Sequence, residues 1–352
     1  MGAIDPWYLN RLVCPVDRTS LTYDGGCLTS KAGRKYPVVD GIPVMLLADK
    51  EQTIGIARAS IERAQGGTGI IDQRAPEYYL ESLGISDEEK KRLVELVTKR
   101  LGKIDPAVSM LIGATSGSAY AHILGDASLG DYPIPKIQMP PSNGRELLDI
   151  GCSWGRWSIS AARAGYSVVG LDPSLGAVMA ARRVAKEFSL DIKHIVGDAR
   201  WLPFPADSFD NIHSYSVLQH LSKDDARKAF GECGRVLHND GVAVIQMANR
   251  VGVRNFQNQL RRRFRATKGF EVRYWSLKEL REAFEDRVGP TTITVDCYFG
   301  LGWQWSDYPY MLGRHKVILI ASEMLRRLST VAPFMRHFAD SVYCTAVKKT
   351  RE

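Results

Sequence analysis

The chain has 352 residues, long enough for two domains, one of which can be a full α/β unit. Hydrophobic residues make up 45% and charged residues 24%, a globular balance that excludes an intrinsically disordered chain. The formal net charge of +8 allows an anionic partner without requiring one.

The first residues hold Asp5 and a proline but no apolar core, so they do not read as a signal peptide. Pro6 stands where N-myristoylation of Gly2 would want Ser or Thr. Residues 1–49 contain short β-like runs broken by turn formers: Tyr23-Asp24-Gly25-Gly26, then PVVDGIPVMLL from Pro37 to Leu47. Residues 50–143 read mainly as helix, a linker or lid. Over 86–101 Ser86 is placed to cap a helix and Glu89 to complete a capping box, with Leu93, Leu96, Val97 and Leu101 on one apolar face. Pro133, Pro135, Pro140 and Pro141 then mark a domain boundary or a lid over a site. No apolar run is long enough to cross a bilayer. The cysteines (14, 27, 152, 233, 297, 344) are scattered with no close pair, which predicts a reducing, cytoplasmic setting.

From 144 to 352 the pattern changes. Strands are predicted over 146–151, 167–172, 191–199, 209–217 and 241–247, with helices over 156–164, 175–188 and 224–237. Apolar strands alternating with amphipathic helices predict an α/β, doubly wound, mostly parallel sheet covered on both faces. In such a sheet the ligand sits outside the C-terminal ends of the strands. The first strand runs into DIGCSWGRW (149–157), where Gly151 and Gly155 permit a tight turn and close backbone approach. Asp172 ends the second strand, and Asp198 in VGDAR ends the third. A dinucleotide fingerprint fails here, because Ser153 and Arg156 stand where its second and third glycines belong.

These residues resemble the class I S-adenosylmethionine-dependent methyltransferases, whose sheet is Rossmann-like and seven-stranded. WLPFPADSFD (201–210) is most similar to the ubiquinone-biosynthesis type. The resemblance implies S-adenosylmethionine as cofactor. It assigns the methionine part to Gly151, Ser153 and Gly155, the ribose to Asp172 and the adenine to Asp198 with Ala199, and it puts Asp149, Cys152 and Pro173 at the cofactor beside them. Ser216, after the fourth strand, completes the set. The alternative is that the two acids only cap the helices that follow. DSVYCTAVKK (340–349) resembles the family's last, antiparallel strand, with insertions before it at about 250–275 and 300–339.

Methyl transfer needs alignment first and, for a hydroxyl nucleophile, a base near neutral pH. His220 in SYSVLQHLS is the leading candidate, with His213 and Tyr215 behind it; the bland reading has His220 only packing on the cofactor or capping the next helix. Cys152 reads as a small buried residue, not a nucleophile. Residues 250–273 hold seven arginines and one lysine against Glu271, a phosphate clamp or a solvated helix face. Six aromatics in 298–310 suit a flat substrate or a core. Residues 315–338 are apolar on one side and basic on the other, a helix hairpin over the site or a peripheral membrane contact.

LNRLVCPVDRTSLTYDGG and the following YPVVDGIPVMLL (9–47) resemble the zinc-ribbon-like activators of tRNA and release-factor methyltransferases. Asp17 replaces the second cysteine of the pair and Cys27 has no partner, so no metal is expected. The leading expectation is O-methylation of a small-molecule or sugar and glycan-pathway hydroxyl. An RNA or protein methyltransferase stays open, with nucleic acid the less favoured partner, as does a non-catalytic S-adenosylmethionine-binding regulator.

Overall fold

A computed structural model of the chain describes residues 4–66, 74–116, 120, 122, 129–300 and 302–349. The reading at Gly2 and parts of the 50–143 segment lie outside the described residues.

Asp5 accepts a hydrogen bond from the Trp7 N–H and caps α1 (Pro6–Arg11), where Pro6 at the first position sacrifices no helical bond. Then β1 (Leu21–Asp24), β2 (Cys27–Ser30), β3 (Lys35–Val39) and β4 (Ile42–Pro43) form an antiparallel meander in sequence order. Its tight turns fall at Gly25-Gly26 and Asp40-Gly41, all with positive φ, which matches the twist of a two-residue hairpin. Helices α2 (Gly55–Ala64), α3 (Asp87–Lys99) and α4 (Pro106–Ser116) follow. The capping box of Ser86 and Glu89 opens α3, and Leu93 and Leu96 are buried. Leu101 departs from expectation. Arg100 turns left-handed at φ 52°, the helix stops at Lys99, and Leu101 is 40% exposed.

The larger sheet comprises β5 (Glu146–Ile150), β6 (Ser167–Asp172), β7 (Ile192–Val196), β8 (Phe209–Ser214), β9 (Leu237–Ala248), β10 (Thr291–Cys297) and β11 (Ser341–Val347). Its order is β10-β11-β9-β8-β5-β6-β7, and β11 alone runs antiparallel to its neighbours. Helices α5 (Arg156–Arg163), α6 (Leu175–Glu187), α7 (Lys223–Val236), α8 (Val253–Arg261), α9 (Leu277–Arg287) and α10 (Gly313–Val331) connect the strands. Coverage on both faces explains why Leu147, Leu148 and Ile150 of β5 are all buried, although a half-exposed strand would alternate. The chain winds outward from β5 to β7 and returns to start again at β8 on the other side. That reversal leaves a crevice above the ends of β5 and β8.

The small sheet closes one edge of the large one. Val44 pairs with Val196 in a parallel bridge, and the Met45 N–H donates to the Val196 carbonyl at 2.7 Å, so β7 is not left as an open edge. Arg18 adds a two-pronged bond to Glu232 on α7. Cys14 Sγ lies 3.1 Å from the Tyr36 hydroxyl, and Asp17 accepts the Thr19 N–H within its own turn. Among the described residues no group of three or more His, Cys, Asp or Glu is placed to hold a metal ion.

The proline segment is a strap on α5. Ser160 Oγ donates to the Pro135 carbonyl and accepts the Ile137 N–H. Residues 315–338 do not form a hairpin of two helices. A single helix, α10, runs to Val331, and Pro333, lacking an N–H, starts a short 3₁₀ segment to Phe338.

Candidate functional site

The glycine turn leaves β5 with Gly151 at φ 77°, Ser153 at φ 47° and Gly155 at φ 88°. A Cβ on Gly151 would meet Val217 at 2.2 Å, so only glycine fits between the turn and the segment after β8. Ser153 holds a left-handed conformation that costs a non-glycine residue about 1–2 kcal/mol. Its N–H donates to Asp172 Oδ2 at 3.0 Å, which offsets that cost. Gly151 and Cys152 both donate to the Leu171 carbonyl, so the turn is stitched to the end of β6.

Asp172 is buried. Its other oxygen accepts the Ser174 N–H at 2.9 Å, and burial pushes its carboxyl up to about 6 against two backbone donors that pull it down. A carboxylate has about four acceptor positions, so two remain for a pair of vicinal hydroxyls. This cradle fits the ribose of S-adenosylmethionine. The loop is braced by the linker. Ser60 Oγ bonds the Pro173 carbonyl and accepts the Leu175 N–H, while Ser82 Oγ accepts the Gly176 N–H. Neither serine stands out in the sequence, because a serine in a linker helix carries no motif.

Asp198 is also spoken for in part. Arg200 lies across it, with Nη2 2.7 Å from Oδ2, and also reaches Asp225 and the Glu51 carbonyl. Ala199 beside it is buried. An amino group at Asp198 would share the carboxylate with this guanidinium, a partner visible only as the second residue after the acid.

Asp149 is a strut. One oxygen accepts Ser158 Oγ at 2.6 Å, and the other lies 3.1 Å from His213 Nδ1, tying β5 to α5 and β8. His213 is fully buried and its Nε2 has no hydrogen-bond partner. Cys152 is buried, and burial with Asp172 and Asp149 nearby raises its thiol well above the ordinary range. It stays a thiol.

The predicted strand at 209–217 ends at Ser214, because Ser216 turns left-handed at φ 60°. The Ser216 N–H donates to Gln246 Oε1, and its hydroxyl accepts from Gln219. Tyr215 packs 4.5 Å from Trp157, donates to Asp296 Oδ2 at 2.8 Å and accepts from Gln304 Nε2. Burial raises both the Tyr215 phenol and the Asp296 carboxyl, so Tyr215 keeps its proton and orients Asp296. Ser341 at the start of β11 completes the cluster with a 2.7 Å bond to Asp296. The sequence signal for this cluster was a lone aspartate in the β-branched run of β10, which the sequence reading passed over. Nearby, Gln219 Oε1 is buried without a hydrogen-bond partner, and the buried Tyr343 hydroxyl faces Asp296.

His220 lies in a one-turn segment, Leu218–His220. Its Nδ1 is 2.8 Å from the Phe270 carbonyl, which can only accept, so Nδ1 carries the hydrogen and Nε2 keeps its lone pair. The ring stacks on Phe270 at 3.9 Å, and burial lowers its pKa, so the imidazole is neutral at pH 7. Part of the arginine-rich segment is used internally. Glu271 binds Arg265 at 2.6 Å, and Arg273 reaches the His220 carbonyl. Of the aromatic stretch, Tyr298 is core and Trp305 is 52% exposed.

Residues 147–241 match the family profile described as a methyltransferase domain. The chain is similar to the ubiquinone biosynthesis O-methyltransferase of Azorhizobium caulinodans, 29% identical over 31% of this chain and 43% of that protein. The Bradyrhizobium sp. protein of the same name is 31% identical over 31% of this chain and 42% of its own length. The chain thus spans about two-fifths of the curated relatives it matches. Among solved structures, a chain in the complex between the Haloferax volcanii Trm112 methyltransferase activator and the putative methyltransferase is 20% identical. That alignment covers 61% of this chain and 86% of the other, with a TM-score of 0.43. Residues 147–241 are thus a methyltransferase domain, and the sheet order and the glycine turn with its acids fit S-adenosylmethionine as its cofactor.

Proposed function

We propose that the chain methylates a hydroxyl of a small-molecule or glycan-pathway acceptor, with His220 as base. When bound, S-adenosylmethionine supplies an electrophilic methyl group on sulfur. Asp172, with the Gly151–Gly155 turn, holds the ribose and methionine parts, and Asp198 with Ala199 meets the adenine. The observation that carries the choice of a hydroxyl is His220 itself. Its tautomer is fixed by Phe270, its ring is neutral, and Nε2 remains able to take a proton. Tyr215, held by Asp296 and Gln304, orients the acceptor, and the unpaired Oε1 of Gln219 offers it a polar contact. The matched relatives are named as O-methyltransferases, which supports the same acceptor atom. The N-terminal module is read as a metal-free relative of the methyltransferase activators, here fused to its partner and packed on β7.

The test is transfer of labelled methyl from S-adenosylmethionine into RNA, protein and small-molecule plus glycolipid fractions of a cell extract. Label is expected in the last fraction. His220→Ala should lower kcat by about a hundredfold or more, with cofactor affinity unchanged. Label in RNA or protein, or full turnover by His220→Ala, would overturn this reading.

A further inference from the structure

Two helices beside the site are built the wrong way round for water. In α8 the buried positions are polar: Asn255 bonds Asp340 and the Asn249 carbonyl, and Gln259 bonds the Arg250 carbonyl. The apolar positions face out, with Val253 49%, Phe256 48% and Leu260 57% exposed. In α10 the buried residues are His315, Leu319 and Ser322, two of the three polar, and Ser322 Oγ accepts the Tyr298 N–H. Val317, Met324, Leu328 and Val331 face out along one side, and Phe334 and Phe338 extend the row.

The clustering is pronounced. Of eighteen exposed large apolar side chains in the described residues, fourteen lie in 251–270 and 312–338. The two stretches adjoin. The Gly252–Asn255 end of α8 packs on Ala339 and Asp340, just beyond Phe338, and Arg254 bonds the Phe299 carbonyl. Soluble monomers rarely leave so much contiguous apolar surface without a use for it.

The same face is basic. Arg261, Arg263 and Lys268 beside α8, and Arg314 and Arg336 beside α10, form no ion pair among the described residues. Apolar side chains ringed by unpaired cations suit one surface well: a bilayer that takes the side chains into its headgroup region and neutralises the cations with phosphates. A second copy of the chain fits worse, because an isologous contact would set these cations against their own equivalents. RNA would use the cations but leave the apolar row in water.

We propose that the outward faces of α8, α10 and the 333–338 segment dock the protein on an anionic phospholipid membrane. The segment that follows α8 also carries Phe270, which is 61% exposed and stacked on His220. The docked face therefore borders the candidate base, where an acceptor that partitions into lipid would arrive.

The experiment is co-sedimentation of the full chain with phosphatidylcholine vesicles, with and without phosphatidylglycerol. Binding to the phosphatidylglycerol vesicles is expected, and F256S/L260S or M324S/L328S should each weaken it by about tenfold or more. R261E/R263E should remove the preference for the anionic vesicles. Because all these side chains are exposed, the variants should keep the parent's melting temperature and cofactor affinity, which separates lost docking from lost folding. The proposal fails if the parent stays in the supernatant with both vesicles, or if the apolar variants sediment like the parent. It also fails if light scattering shows a dimer that F256S/L260S dissociates, or if the chain binds RNA with the apolar variants unaffected and no vesicle binding.

Discussion

Helices α6 and α8 show how differently the two halves of the catalytic unit are finished. On α6, Leu175, Val178, Met179 and Val184 are buried against the sheet and polar residues face out, as the hydrophobic effect alone would arrange a surface helix. On α8 the burial is reversed, with Asn255 and Gln259 inside and Phe256 and Leu260 outside. The half that carries the glycine turn and its acids thus buries its apolar side chains within the chain. The other half leaves apolar surface uncovered and uses buried polar bonds to hold its helices in place. The difference teaches that the first half is finished by its own packing, whereas the second presents a surface that can meet something outside the chain.

The sharpest way to break this comparison is at Asp172. Asp172→Asn swaps an acceptor of two backbone N–H bonds for an amide that can present a donor to one of them and to the ribose. Cofactor affinity should fall by about a hundredfold, or about 3 kcal/mol, by calorimetric titration. F256S/L260S in the other half should leave that affinity untouched. If the two variants weakened cofactor binding alike, the halves would not be separable.

A second effect is smaller and carries a sign. Asp172 in the folded chain titrates near 6, above its ordinary 3.8. Ribose hydroxyls favour the carboxylate, so cofactor affinity should be flat above pH 7. It should fall by up to about tenfold per pH unit below 6. Stability of the cofactor-free chain moves the other way. The folded state holds this proton more tightly than the unfolded state, so the favourable contribution is full below about 4 and lost as pH rises through about 6. Asp172→Asn should flatten both profiles. If Asp172→Asn kept the parent's fall in affinity below pH 6, that titration would belong to another group.

The same contrast decides what could be read from the residues alone. The order of strands and helices from Glu146 to Ala248 was legible because burial on both faces gives β6 the run Val168–Leu171 and β9 the run Val242–Ile245, and the start of α3 was legible because Ser86 and Glu89 announce it. The turn at 151–155 and the acids at 172 and 198 were legible because each needs a particular residue type at a strand end. What was not legible lay in tertiary contacts: Arg200 across Asp198, Asp296 under Tyr215, and serines 60 and 82 beneath the loop that follows Asp172. The hairpin expected at 315–338 failed for a related reason. An amphipathic period predicts a helix but not which side faces the protein, and in α10 only part of the apolar side does: Leu319 is buried while Val317, Met324, Leu328 and Val331 are exposed.

The smallest effect tests how far the cofactor half extends into the linker. Ser60 is fully buried, and its hydroxyl is the acceptor for the Leu175 N–H, one of the unpaired donors at the start of α6. Ser60→Ala removes that acceptor and leaves a buried N–H unsatisfied, at a cost of about 1–2 kcal/mol. For a catalytic unit of this size the melting temperature should fall by roughly 2–8 °C in scanning calorimetry. Because Leu175 follows the Asp172 loop by three residues, cofactor affinity should drop a few-fold as well, and the loss of stability should shrink when S-adenosylmethionine saturates the site. A variant that melts earlier by the same margin with and without cofactor would place Ser60 in the general packing of the linker. One that loses affinity in step with stability places α2, and with it the segment after the N-terminal sheet, inside the cofactor site.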